Sequence, residues 1–464
     1  MNHEEIKKAS LIIAMLANFI TPFMGSSINI ALPKIAEELQ INAILLSWIA
    51  TSYLLSVAIT LVPFGRLADI YGRKKIFMIG TIVFMVFSIC SAISTSAPML
   101  IFFRVFQGMG SSMIFATGIA IITSVFPPQE RGKAMGLCVA SVYVGLSAGP
   151  FLGGFLTQHL TWRSVFFVNA PICLVIITLV LKKIKGDWAE AKGEKFDLFG
   201  SVIYAATIIS VAISLLPSMR HLWPVLIILG GAGFIAFVKW ETRINSPVFE
   251  LSLFRTNRIF AFSCLAALIN YSATFAVTFL ISLYLQHIKG LNPQSAGLIM
   301  ISQPLVMVVC APIAGRLSDK IEPRIVATFG MIATSISLVL FILITKDTTL
   351  PGIMFRLAVL GFGIALFSSP NTNAIMSSVE KRFYGIASGS MGTMRTLGMM
   401  ISMAIATLIF SIFIGKVQIT PEHYPAFMKS IRIAFIVFSI FCTGGVFSSF
   451  VRGKLRDENS NTSD

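Results

Sequence analysis

The chain has 464 residues, 56% of them hydrophobic and only 12% charged, with 36 Lys and Arg against 20 Asp and Glu. So few charges cannot cover a water-exposed fold of this length, which excludes an ordinary soluble protein and places the chain in a bilayer. The net charge of +16 does not indicate nucleic acid, because the cations gather in alternate loops rather than in one patch.

A helix needs roughly 20 apolar residues to cross the hydrocarbon core. Fourteen such runs begin near residues 10, 44, 76, 98, 134, 164, 198, 222, 259, 294, 325, 350, 384 and 431. The ten-residue alternation of a membrane barrel is absent, so an all-α integral membrane fold is expected. The first run is longer than a signal-peptide core and thirteen more follow it, so it reads as a retained span. Most Lys and Arg fall on one side of the membrane if the amino terminus is inside. Examples are Lys7, Lys8, the 66–75 loop, the 182–195 loop, Arg452, Lys454 and Arg456. An even number of crossings then puts both termini in the cytoplasm of a multi-pass protein of the cell membrane.

Between runs 2 and 3 stands Gly65-Arg66-Leu67-Ala68-Asp69-Ile70-Tyr71-Gly72-Arg73-Lys74-Lys75. Its carboxylate, Asp69, can accept from exposed helix N–H groups or pair with a cation such as Arg73, and Gly65 and Gly72 permit a tight backbone approach. A contact of that kind can form in one state and break in another, which suits a gating loop; the alternative is a solvated loop that only sets topology. A weaker copy, Gly315-Arg316-Leu317-Ser318-Asp319-Lys320, recurs between runs 10 and 11.

Run 4 carries Arg104, with Gln107 one helical turn away on the same face. A cation at that depth costs about 3 kcal/mol on insertion scales unless it finds acceptors. Two readings stay open: a buried cation that modulates protonation or holds a substrate, and a structural Arg bonding carbonyls of a neighbouring helix. Arg395, in run 13, invites the same pair of readings. Run 5 carries Gly145, Gly149 and Gly153 at four-residue spacing, a smooth stripe on which another helix can pack closely, and Pro150 removes a hydrogen bond and bends the helix. Plain helix packing is the alternative.

Arg104 and Glu130-Arg131 are matched by Arg356 and Lys381-Arg382 at about the displacement of the two loops, so the repeat unit is six spans. Six spans fill about 190 residues at this spacing, whereas the copies lie about 250 apart, which leaves room for two extra helices. The expected organisation is a six-helix bundle over 1–190, two inserted helices with cytoplasmic connectors over 191–245, and a second six-helix bundle with a short tail over 246–464. Two repeated halves in one membrane chain are the mark of a transporter. The charged segments Lys182–Asp197 and Glu241–Arg258 read as solvated connectors.

None of the acids falls in mid-membrane. The six cysteines lie in apolar runs without metal-ligand spacing and read as packing residues. Neither a phosphate-binding loop nor a nucleophile-base pairing is present, so no catalytic residue, metal or cofactor is expected and the chain does not read as an enzyme.

The 65–75 loop resembles the signature loop of the major facilitator superfamily. Further motifs resemble its fourteen-span drug:proton antiporter branch: Asn29-Ile30-Ala31-Leu32-Pro33, Trp48 to Tyr53, Arg104-Val-Phe-Gln107-Gly108, Gly145 to Gly154, Trp162-Arg163, Asn169-x-Pro171, Pro370-Asn371 and Arg395-Thr-Leu-Gly398. The resemblance covers nearly the whole chain. It implies the major facilitator fold, a monomer, and export of small amphipathic organic compounds against protons by alternating access. An importer, a facilitator or a dedicated metabolite exporter of the same fold is the second reading. Gly145, Gly149, Pro150, Gly153 and Gly154 correspond to the exporter motif. The implied cavity is lined by spans 1, 4, 9 and 12, with Asn29, Met113, Asn270, Tyr271, Phe275 and Asn371 as candidate contacts. The chain departs from the branch in two places: Met24 stands where an acid is common in span 1, and Ile70 where an Arg follows the loop aspartate.

Overall fold

The computed structural model describes residues 3–453 apart from 127, 185, 187, 190, 215–221, 245–251, 380–383, 416 and 418. Glu250, Lys381, Arg382, Lys454 and Arg456 therefore lie outside the described residues, as do the side chains of Glu130, Arg131 and Asp319.

All regular structure among the described residues is helical. The first unit contains α1 (His3–Leu39), α2 (Ala43–Tyr71), α3 (Arg73–Ala92), α4 (Ala97–Val125), α5 (Pro128–His159), the single turn α6 (Ser164–Phe167) and α7 (Asn169–Lys183), then α8 (Leu198–Ser214) and α9 (Trp223–Glu241). After the short α10 (Ser252–Thr256) come α11 (Arg258–Leu283), α12 (Pro293–Met300), α13 (Ser302–Lys320), α14 (Pro323–Ile342), α15 (Leu350–Ser377), α16 (Tyr384–Phe413) and α17 (Tyr424–Val451). Thirteen stretches among the described residues are long and apolar enough to cross a membrane. Leu198–Ser214, with 17 residues, is apolar but shorter, and it ends where the described residues stop.

Local chemistry sets several helix starts. Asn42 accepts from Leu45 N at 2.9 Å and Asn257 from Phe260 N at 2.9 Å, each satisfying an amide that the first turn leaves without a carbonyl. Buried hydroxyls such as Thr81, Ser88 and Thr117 bond carbonyls of their own helices, so they enter the hydrocarbon without unmet donors. Outward faces carry residues such as Phe102, Leu174, Leu181, Ile228, Phe355 and Phe447, all more than half exposed, as suits a protein whose solvent is lipid.

The chain divides into two compact units, Met1–Val248 with Asn292–Gly297, and Phe249–Leu291 with Leu298–Asp464. In the first unit α1 packs chiefly on α5, α4 packs on α2 and α3, and the α8–α9 pair rests on α2. In the second, α15 packs on α13 and α14, and α11 on α16 and α17.

Candidate functional site

The loop between α2 and α3 is a tight turn built on Gly72, whose φ of 110° is a conformation that L side chains rarely adopt. The turn sets Asp69 Oδ1 2.9 Å from Arg73 Nη2 and 3.0 Å from Arg73 Nε. The expected carboxylate–cation pair is thus present. Gly65 is less constrained, since a Cβ there would meet Ala116 Cβ at 3.8 Å, an ordinary contact.

The segment after α7, expected as a solvated connector, lies against this loop instead. Lys74 Nζ donates to Ile184 O, Arg73 N to Trp188 O at 2.9 Å, and Ala191 N to Asp69 O at 3.0 Å, while Arg66 pairs with Glu194. As the connector ascends from 184 to 194 the loop descends from 74 to 66, so the two run antiparallel. The reason is that a charged, aperiodic stretch still carries backbone donors and acceptors needing partners. Beyond it, Asp197 accepts from Gly200 N and from Trp240 Nε1, both at 2.9 Å, which ties α8 to α9. Tyr204 Oη then donates to Ala58 O of α2 at 2.9 Å.

Arg104 is 1% exposed. Its Nε donates to Ile49 O of α2 at 3.1 Å and its Nη1 to Gln107 Oε1 at 2.7 Å; Gln107 Nε2 donates in turn to Ser88 Oγ of α3 at 2.6 Å. The guanidinium lies 4.3 Å from the centre of the Tyr53 ring. A carbonyl, an amide and an aromatic face thus hold the charge, and α2, α3 and α4 are joined through it.

The glycine stripe of α5 faces α1 at backbone distance. A Cβ on Gly149 would overlap Ser26 Oγ and sit 3.1 Å from Phe23 O, and one on Gly153 would lie 2.6 Å from Ser27 Cβ. Gly145 lies equally close to Phe19 O, while Gly154 faces Pro293 O. Pro150, inside the same helix, places its carbonyl against Gly297. At the other end of α1, Glu38 accepts from Trp162 Nε1 at 2.7 Å and pairs with Arg163, which also donates to Ser94 O at 3.3 Å. Glu38 was not legible as the partner of Trp162-Arg163, from which it is separated by 124 and 125 residues.

Two of the cavity candidates have their contacts defined. Met113 packs with Ala68 and Ile76, against Phe64 and Leu67, next to the α2–α3 loop. Asn371 is 2% exposed and both ends of its amide are used: Nδ2 donates to Ser263 O at 3.1 Å and Oδ1 accepts from Arg452 at 2.7 Å. Arg452, expected in a cytoplasmic tail, is 1% exposed and also bonds Ser263 Oγ and Pro323 O, both at 3.2 Å. The final helix continues to Val451, which carries the guanidinium against Ser263 of α11, Pro323 of α14 and Asn371 of α15. Arg452→Met is accordingly expected to destabilise the protein by about 1–3 kcal/mol, since it strands the Asn371 and Pro323 acceptors. Heating in detergent followed by size-exclusion chromatography reads this loss, and an unchanged profile refutes it.

The remaining candidates divide. Asn29 is buried, with Nδ2 on Gly25 O at 3.2 Å. Tyr271 and Phe275 are half-buried on α11, and Arg395 of α16 lies over the Tyr271 ring at 5.5 Å. Asn270 is wholly buried. The second loop, at the end of α13, is tied to α15 by Asn373 Nδ2 on Ser318 Oγ at 3.1 Å; Asp319 belongs to that helix.

A family model described as Major Facilitator Superfamily matches residues 14–403 and 263–463. The riboflavin transporter RibZ of Clostridioides difficile is 33% identical to this chain over 409 residues, 88% of each protein. Multidrug resistance protein Stp of Mycobacterium tuberculosis is 27% identical over 82% of this chain and 71% of its own length. The multidrug export protein EmrB of Escherichia coli is 28% identical over 88% and 81%. In fold the chain is similar to a bacterial homologue of the human lysosomal transporter Spinster, with a TM-score of 0.69, 14% identity, and coverage of 96% of this chain and 97% of that one.

Proposed function

The chain belongs to the Major Facilitator Superfamily, and from that premise we propose that it is a secondary active exporter of small amphipathic organic compounds, working by alternating access against an inward flow of protons. Similarity to drug exporters along most of the chain carries this reading. The proposal includes fourteen spans with both termini in the cytoplasm, a cell-membrane location, and α8 and α9 as a separate inserted pair. In it, the Asp69–Arg73 loop acts as the cytoplasmic gate, the α1–α5 seam as the surface that must stay sealed while helices move, and Arg104 with Gln107 as the buried cation that responds to coupling. Similarity to a riboflavin transporter favours a second reading, a dedicated carrier of one metabolite.

The charges near the spans bear on cargo. Arg104 is held by neutral groups, and Met24, buried completely, accepts from Asn169 Nδ2 at 3.1 Å through its sulfur. A path without a fixed anion compensates the desolvation of a cation poorly. Neutral and anionic dyes are therefore expected to leave cells at least as fast as quaternary ammonium dyes of matched size. Met24→Asp supplies a fixed anion, and relative export of the cationic dye should rise roughly tenfold, which is about 1.4 kcal/mol of charge–charge attraction. Dye accumulation in cells with and without the protein decides both points. Equal accumulation of every dye with and without well-expressed protein removes the export reading; a native preference for cations that Met24→Asp leaves unmoved removes the charge argument alone.

A further inference from the structure

Among the described asparagines, Asn270 alone has neither end of its side-chain amide hydrogen-bonded. It is 0% exposed. It lies about 18 Å along α11 from Arg258, near the middle of a bilayer core. Other asparagines in the spans have partners for their side-chain donors: Asn18 in Ala14 O, Asn29 in Gly25 O and Asn169 in Val165 O and Phe166 O, all close in sequence, and Asn371 at both ends through the distant Ser263 and Arg452, while Asn169 Oδ1 is the one other asparagine oxygen left unpaired among the described buried atoms. At Asn270 the helix supplies no such partner, and the Asn270 carbonyl already accepts from Thr274 Oγ1 at 2.8 Å. A leucine there would fill comparable volume without the penalty of an unmet donor and acceptor in a dry site.

The helix around it is continuous, but hydroxyls share its hydrogen bonds: Ser272 Oγ bonds Leu268 O at 2.7 Å, and Ala276 N donates to Ser402 Oγ of α16 at 3.0 Å. Such sharing weakens the resistance of a helix to bending. Gly398 lets α16 lie against Leu268 O and Tyr271 Cβ, so this turn faces a neighbour at close range.

We propose that Asn270 is a specificity-determining residue that pairs with the cargo when α11 bends at this turn, and that the cargo it selects presents an adjacent N–H donor and C=O acceptor, as in an imide, lactam or primary amide. The reasoning is complementarity: a carboxamide offers one acceptor and two donors in a plane and matches an edge of the same kind, whereas a fixed cation would call for a carboxylate. The idea rests on the transport reading above and adds the ligand class to it.

The test uses 1,8-naphthalimide, which carries a free imide N–H, and its N-methyl counterpart, which lacks the donor, in efflux from proteoliposomes under an imposed proton gradient. The native protein is expected to favour the free imide about tenfold. In Asn270→Leu the rate for the free imide should fall to that of the N-methyl probe, while detergent thermal stability holds or rises, since an unmet amide has been removed. Asn270→Gln should restore part of the preference. Equal native rates for the two probes, or a preference that survives in Asn270→Leu, overturns the proposal and leaves transport standing. Absence of efflux for these probes and for the whole dye panel overturns the transport reading itself.

Discussion

Gly149→Leu is expected to abolish transport and to lower stability by about 3 kcal/mol, the upper end of what overpacking costs. The size of the effect follows from what the side chain would strike. On the α1 side the first atom beyond Cα already overlaps Ser26 Oγ, and behind it stand Ser26 Cβ at 2.9 Å and the backbone carbonyl of Phe23 at 3.1 Å. A hydroxyl can rotate, but a carbonyl within a helix moves only if the helix moves. With Gly145 and Gly153 equally close to α1, there is no slack one turn above or below. The control is Val144→Leu, five residues away on the same helix and 51% exposed, where the added methylene meets lipid and both properties should stay native. Dye efflux and thermal unfolding in detergent give the two readouts; equal tolerance at both positions refutes a tight seam.

Asp69→Asn is expected to leave folding intact and reduce transport at least tenfold. The Asp69 side chain is 38% exposed, so its pair with Arg73 contributes no more than about 1 kcal/mol to stability. Asparagine keeps the shape, and the carbonyl that accepts from Ala191 N is untouched. What is lost is the charge that, in the proposed gate, distinguishes a closed loop from an open one. Rates per inserted molecule, measured with the same dyes, settle the matter: native rates in Asp69→Asn take the gate away from this loop.

Most of the helices were legible because each apolar run is long and unbroken by charge, and the Asp69–Arg73 pair because a carboxylate stood among cations between glycines. Gln107 was legible as a partner of Arg104 because both lie on one helix, whereas Ile49 O, 55 residues earlier, left no trace in the side-chain pattern. Helices apolar on every side give no direction for the core. That is why the packing of Met113 against Ala68 and Ile76 could not be read from the sequence. Arg452 was misplaced for a related reason: a cation after the last apolar residue reads as tail, and only packing shows it turned inward.

The antiparallel contact between residues 184–194 and 66–74 bears on which insertions and deletions this chain can tolerate. A surface connector ordinarily accepts changes of length at little thermodynamic cost. Here one added or removed residue between Trp188 and Ala191 shifts Trp188 O and Ala191 N out of step with Arg73 and Asp69. The stretch that looks most like a spacer in the sequence is thus held to a fixed length, in the way a strand is held by its neighbour, and new segments are accommodated only outside that register.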